Sequence, residues 1–201
     1  MRRHKGFTLV EVMVSLGVMT VGAMALIGMQ QQTTRANVHS RTLTVATQIA
    51  QNVIERLKLE GLAWNSATGN AATDLLNAPS LAAITAALPG QFMTLPAVAG
   101  LRPLSNAFDY YGDDVDVTNG NPQQLARVYY CASYRLSWVY ATQRAMRVDV
   151  RVWWSKEAPS RSIIADFPRC ADDSIALNPG GASYDAYHIV YLSTVLRPVS
   201  L

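Results

Sequence analysis

Residues 7–29, FTLVEVMVSLGVMTVGAMALIGM, form an apolar run of 23 residues broken by a single charge, Glu11. As a helix, such a run reaches across a hydrocarbon core about 30 Å thick. A cleaved secretory signal would carry a shorter apolar region leading into an A-x-A-like site, without a carboxylate near its start. A buried soluble helix seldom sustains so long a run behind a basic tip. Arg2, Arg3 and Lys5 hold the N-terminus in the cytoplasm, which sends residues 30–201 across the membrane. The bulk of the chain is therefore expected outside the cytoplasm.

At 201 residues the chain has room for one main domain and an appended segment. Half of it is hydrophobic and only 15% charged, below the roughly 25% of ordinary soluble chains, so disorder is excluded. Three of the 17 basic residues lie in the first five positions, and the rest balance the 14 acidic ones. A body with no basic excess lacks the face that counterion release requires, so no nucleic-acid partner is predicted.

Glu11 needs an explanation, because a charge within a membrane helix costs about 2.5–3.5 kcal/mol and usually marks function. Close to the interface the cost shrinks, and a snorkelling carboxylate is the plainer alternative. Its neighbours argue otherwise. Lys5-Gly6-Phe7-Thr8-Leu9-Val10-Glu11 resembles the class III signal of the type IV pilin family: a short basic leader, a glycine before the cut, phenylalanine first and glutamate fifth after it. The resemblance implies that a prepilin peptidase cleaves between Gly6 and Phe7 and then methylates the amine of Phe7. It also implies other minor and major pilins, an inner-membrane assembly platform and membrane lipid as partners. Within the family, the sequence is closer to minor pilins than to a major pilin, and the minor pseudopilins of type II secretion are the nearest alternative.

The motif also has a direct physical reading. Glycine at position 6 leaves backbone open to a protease, since no β-carbon obstructs a non-helical conformation. Once freed, the amine of Phe7 is a cation in an apolar bundle, and Glu11 of a neighbouring subunit can neutralise it. Each charge alone is costly there; paired, they are tolerated and fix a register between subunits.

From Gln30 to Glu60 there is neither proline nor glycine, and Ala46, Ile49, Ala50, Val53, Ile54 and Leu57 recur at three- and four-residue steps. Arg35, Gln48, Gln51, Arg56 and Lys58 are placed on the polar face. Gly61 follows as a C-cap. With the spanning segment this makes one helix of about 54 residues and about 80 Å. Its first half is expected to protrude from the globular part, and its second half to lie against a sheet. Gly17, Gly22 and Gly28 invite close packing or local unwinding, though glycine is also ordinary in membrane helices.

Residues 61–126 read as an ordered connecting loop containing one short helix, Ser80 to Leu88, with Ser80 as N-cap and Pro89-Gly90 as its stop. Asp113, Asp114, Asp116, Asn119 and Asn121 crowd together, but their spacing fails the EF-hand pattern and fits a solvated turn better than a calcium site.

Residues 127–201 alternate with a period of two. Met146, Val148, Val150, Val152 and Trp154 fall on one face of a strand from Ala145 to Trp154, with Arg147, Asp149 and Arg151 on the other. The stretch Val128 to Tyr140 repeats the pattern, a hairpin through Ala141 to Arg144 joins the two, and His188 to Leu196 supplies a third strand. The fold class expected is α+β and pilin-like: a long N-terminal helix, half transmembrane and half amphipathic, packed on a C-terminal antiparallel meander. The divisions are a leader (1–6), an assembly helix (7–29), its amphipathic continuation (30–60), the loop region (61–126) and the sheet (127–201).

In an oxidising compartment Cys131 and Cys170 are expected to form a disulfide, pinning Ser155 to Cys170 over the outer sheet surface; two free thiols are the alternative. Closing a loop of about 40 residues contributes on the order of 4 kcal/mol in the chain-entropy model. His39 and His188 lack ligand spacing with the cysteines, so neither metal nor cofactor is expected. No nucleophile elbow, phosphate loop or H-E-x-x-H stands in the sequence, which points away from an enzyme. Tyr110, Tyr111, Trp153, Tyr184 and Tyr187 are candidate exposed aromatics, although single surface aromatics are normal. Two classes remain: a filament subunit, and a membrane-anchored binding module that never assembles. The expected location is the inner membrane in a single pass, then the pilus.

Overall fold

The computed structural model describes residues 8–62, 64, 78–86, 91–96, 101–103, 105–117, 121–139, 145–156, 170 and 187–198. Helix α1 runs Leu9–Gly61, 53 residues without a break. Thr8 starts it: the Glu11 amide donates to Thr8 Oγ1 at 3.4 Å and to the Thr8 carbonyl at 3.1 Å. Within the apolar half, Ser15 Oγ donates to the Glu11 carbonyl and Thr20 Oγ1 to that of Gly17, at 2.7 and 2.8 Å, so neither hydroxyl needs water. Gly61 ends the helix, but not with the left-handed geometry expected of a glycine cap. The Leu62 amide reaches back to the Lys58 and Leu59 carbonyls, and Gly112 is the glycine with positive φ among the described residues.

The chain divides after Thr42 into two compact units. In the first, every described residue up to Arg41 is exposed, including the apolar residues Leu9 to Met29.

The second unit has two layers. Its part of α1 buries Ala46, Ile49, Ala50, Val53, Ile54 and Leu57 against the inner face of a four-stranded antiparallel sheet of order β1-β2-β3-β4. These are β1 (Ala107–Phe108), β2 (Tyr130–Trp138), β3 (Met146–Ser155) and β4 (Tyr187–Leu196). The inner face carries Tyr130, Ala132, Tyr134 and Leu136 of β2 and Met146, Val148, Val150, Val152 and Trp154 of β3, as period-two alternation dictates. Tyr134 pairs with Val150, and Val150 with Leu192. The Val139 amide donates to the Ala145 carbonyl and closes the hairpin; its Ala141–Arg144 turn lies outside the described residues.

The structure adds β1, two residues that cover the open edge of β2, which Met93 also pairs at Tyr134. Helix α2 (Pro79–Ala86) begins one residue before Ser80. Ser80 is thus inside the helix rather than its cap, and Ala78 accepts the first helical amides. Helix α3 (Pro122–Leu125) is new, capped by Asn121, whose side chain accepts from the Gln123 amide.

The outer sheet face departs from the solvated surface that alternation suggests, since Ser133, Asp149, Arg151 and Trp153 are buried there. Trp153 is accordingly not an exposed aromatic. Asp149 accepts from Arg135, Arg147 and Ser193, while Arg151 donates to Ser133 at 2.9 Å and stacks 3.9 Å from the Phe92 ring. A polar residue can be buried once its hydrogen bonds are filled, which the alternation pattern does not register.

Candidate assembly site

Glu11 is the third residue of α1 and the one charge between Thr8 and Gln30. Leu9, Val10, Met13 and Val14 around it are all exposed. Among the described residues no cation pairs with its carboxylate. The first turn of α1 therefore presents one carboxylate on an apolar cylinder, an arrangement suited to another molecule's cation. Gly6 and Phe7, the expected cleavage and methylation positions, lie outside the described residues.

In the second unit Cys131 and Cys170 are joined by a disulfide across a separation of 39 residues, with their Cα atoms 5.4 Å apart. Both sulfurs sit in a small buried cluster with Ala107, Val115, Val128 and Trp153 on the outer sheet face. Of the Ser155 to Cys170 segment, only its ends are described.

The second unit also holds a buried polar clamp. Arg56, placed on the polar face by sequence, is 1% exposed. Its guanidinium bonds to the Pro103 and Pro96 carbonyls and lies 3.4 Å from Glu60 Oε1. Glu60 in turn accepts from the Ser80 amide and hydroxyl at 2.8 and 2.6 Å, and the Tyr134 hydroxyl donates to the Ser80 carbonyl at 2.8 Å. Four residues thus tie α1, α2, β2 and the loop together. Burial first, and then the Glu60 charge, push the Tyr134 hydroxyl well above its ordinary pKa. Stepping the core stripe from Ile49 and Val53 by three and then four lands on positions 56 and 60, so the spacing carried a signal that their charge obscured.

Among the described residues the aspartate cluster does not converge as a set of metal ligands. Asp114 accepts from the Ser105 amide and hydroxyl, Asn121 caps α3, Asp113 and Asp116 are exposed, and Asn119 lies outside the described residues. Among the described residues no group of His, Cys, Asp and Glu is placed to hold a metal. Of the aromatic candidates, Tyr111 is exposed, Tyr110 and Tyr187 are half-buried, and Tyr184 lies outside the described residues. His188 is half-buried with its ring 5.2 Å from Trp154.

Residues 1–27 match the family model of the prokaryotic N-terminal methylation motif. No curated protein and no solved structure matches the chain. The match marks the N-terminus as a prepilin-type signal of the kind processed by prepilin peptidase. With the apolar helix behind it, this fits a membrane-anchored structural subunit of pilin-like α+β architecture.

Proposed function

We propose that the chain is a minor pilin that enters the inner membrane, is cut between Gly6 and Phe7, is methylated at Phe7, and takes part in assembling or priming a type IV pilus near its tip. The observation that carries this reading is the lone carboxylate of Glu11, inside the matched motif and on an otherwise uncharged apolar helix. Cleavage creates an amine four residues before Glu11 in the same chain. Lateral packing of helices brings the amine of one subunit to the carboxylate of another, because two such charges are stable in an apolar bundle only as a pair. The pair fixes axial register, and the folded second unit stays outside the membrane, with Arg2, Arg3 and Lys5 having held the leader inside. The segments FTLVEVMVSL, GAMALIGMQ and VATQIAQNVIERL, which resemble minor pilins of the PilV type, support the choice of a minor subunit.

The same signal serves the minor pseudopilins of type II secretion, and location separates the two. Filaments sheared from wild-type cells should contain the chain, and the same fraction from pilus-deficient cells should not. Its presence only with secretion components would favour the pseudopilin, and its absence from every assembly would leave an anchored binding module.

A further inference from the structure

We propose that a cleft between α1 and residues 102–103 and 108–114 receives a long cationic side chain, lysine or arginine, from a neighbouring subunit; this rests on the filament reading above. The cleft encloses about 340 Å³. Its α1 wall carries Asn52, Glu55 and Leu59, and Phe108, Gly112 and Asp113 stand opposite.

The loop wall is fixed before any partner arrives. Arg56 binds the Pro103 carbonyl, Ser105 binds Asp114, and Gly112, at φ +89°, packs so tightly that an added Cβ would stand 3.1 Å from Val45 Cγ1. A wall held in this way loses little entropy on binding.

The charges inside the cleft divide into engaged and available ones. Arg56 is set against Glu60, and Asp114 is occupied by Ser105. Glu55 and Asp113 are exposed, and among the described residues no cation pairs with either; Arg102 is the other cation on the lining. Three carboxylates, Glu55, Asp113 and Asp114, against two arginines, Arg56 and Arg102, leave the lining of the cleft negative. The exposed Leu59 offers apolar surface for a methylene stem, while the carboxylates offer acceptors for its charged head, which is the chemistry of a lysine or arginine side chain. Subunits of like composition carry the matching charge: residues 30–42 of α1 include Arg35 and Arg41 and no carboxylate.

A photo-reactive residue replacing the exposed Leu59 in the full-length protein, in cells that make the filament, tests the proposal. The expected result is a cross-link to another pilin-sized chain. Glu55→Lys combined with Asp113→Lys should lower its yield roughly tenfold, the effect of losing one well-placed ion pair, while Glu55→Asp should keep it. Unchanged yield in the double reversal overturns the proposal, as does the lack of a cross-link in filaments that contain the chain. Stabilisation of the wild type, but not of the double variant, by millimolar calcium would overturn it in favour of a metal. Membranes and sheared filaments are scored separately. A chain that cross-links from Leu59 yet never enters filaments keeps the cleft and sinks the filament reading, whereas entry with unchanged yield sinks the cleft alone.

Discussion

Arg56 and Glu60 make the sharpest single-residue prediction. Both are buried, and each fills the hydrogen-bonding capacity of the other and of the loop. Arg56→Ala leaves a buried carboxylate without its cation and should cost about 3–5 kcal/mol in a denaturant titration, more than replacing both residues together with Met and Leu. Tyr134 in the same clamp has a folded-state pKa raised above its unfolded value near 10. The stability it adds is full below pH 10 and fades as pH climbs toward the folded value, so Tyr134→Phe should flatten the alkaline fall in melting temperature. Asp149 behaves in the opposite sense. Burial alone would raise its pKa, but bonds from Ser193, Arg135 and Arg147 outweigh that and hold it low. Its contribution is present above its unfolded pKa near 4 and lost as pH falls through the folded value, and Asp149→Asn should remove that acid dependence. None of this was legible from residue type, because a charged side chain announces solvent until its partners are known. Arg56 shows the limit: its charge assigns it to the polar face of the helix, and only its buried partners reveal that position 56 continues the core stripe.

The longer elements were legible because their periods are strong. Helix α1 follows from the uninterrupted run up to Gly61, and β2, β3 and β4 follow from alternation, each within about two residues of the expected ends. Strand β1 has two residues and no period to read, and α3 has four, begun by an Asn-Pro pair that reads equally well as a turn. Alternation also fixed which face Cys131 occupies, and the outer cluster around the disulfide lies there. Because that bridge ties β2 to residue 170, Cys131→Ser should lower stability by roughly 2–5 kcal/mol, read as a drop in melting temperature against the non-reduced wild type. Free reaction of both thiols with an alkylating reagent in unreduced native protein would contradict the bridge.

In the whole molecule one chain carries an apolar helix long enough to span a membrane, a charge within it and a folded unit after it, the parts that the proposed assembling subunit requires. Glu11→Ala should insert and be cleaved normally, since removing a charge eases insertion, and should fail only to enter filaments. Wild-type incorporation of that variant would show the carboxylate to be a tolerated interfacial charge. The N-terminal motif is the most informative part of the sequence, since a short motif whose chemistry is local needs no tertiary context. The role beyond it was less legible, because contacts between subunits leave no period in a single chain. The proposed processing of this chain as a prepilin is decided by intact-mass and N-terminal peptide mass spectrometry of the protein from membranes with active prepilin peptidase. The expected result is a chain beginning at Phe7 with a methylated amine, and an uncut precursor for Gly6→Val. A wild-type chain still beginning at Met1 in those membranes would contradict it.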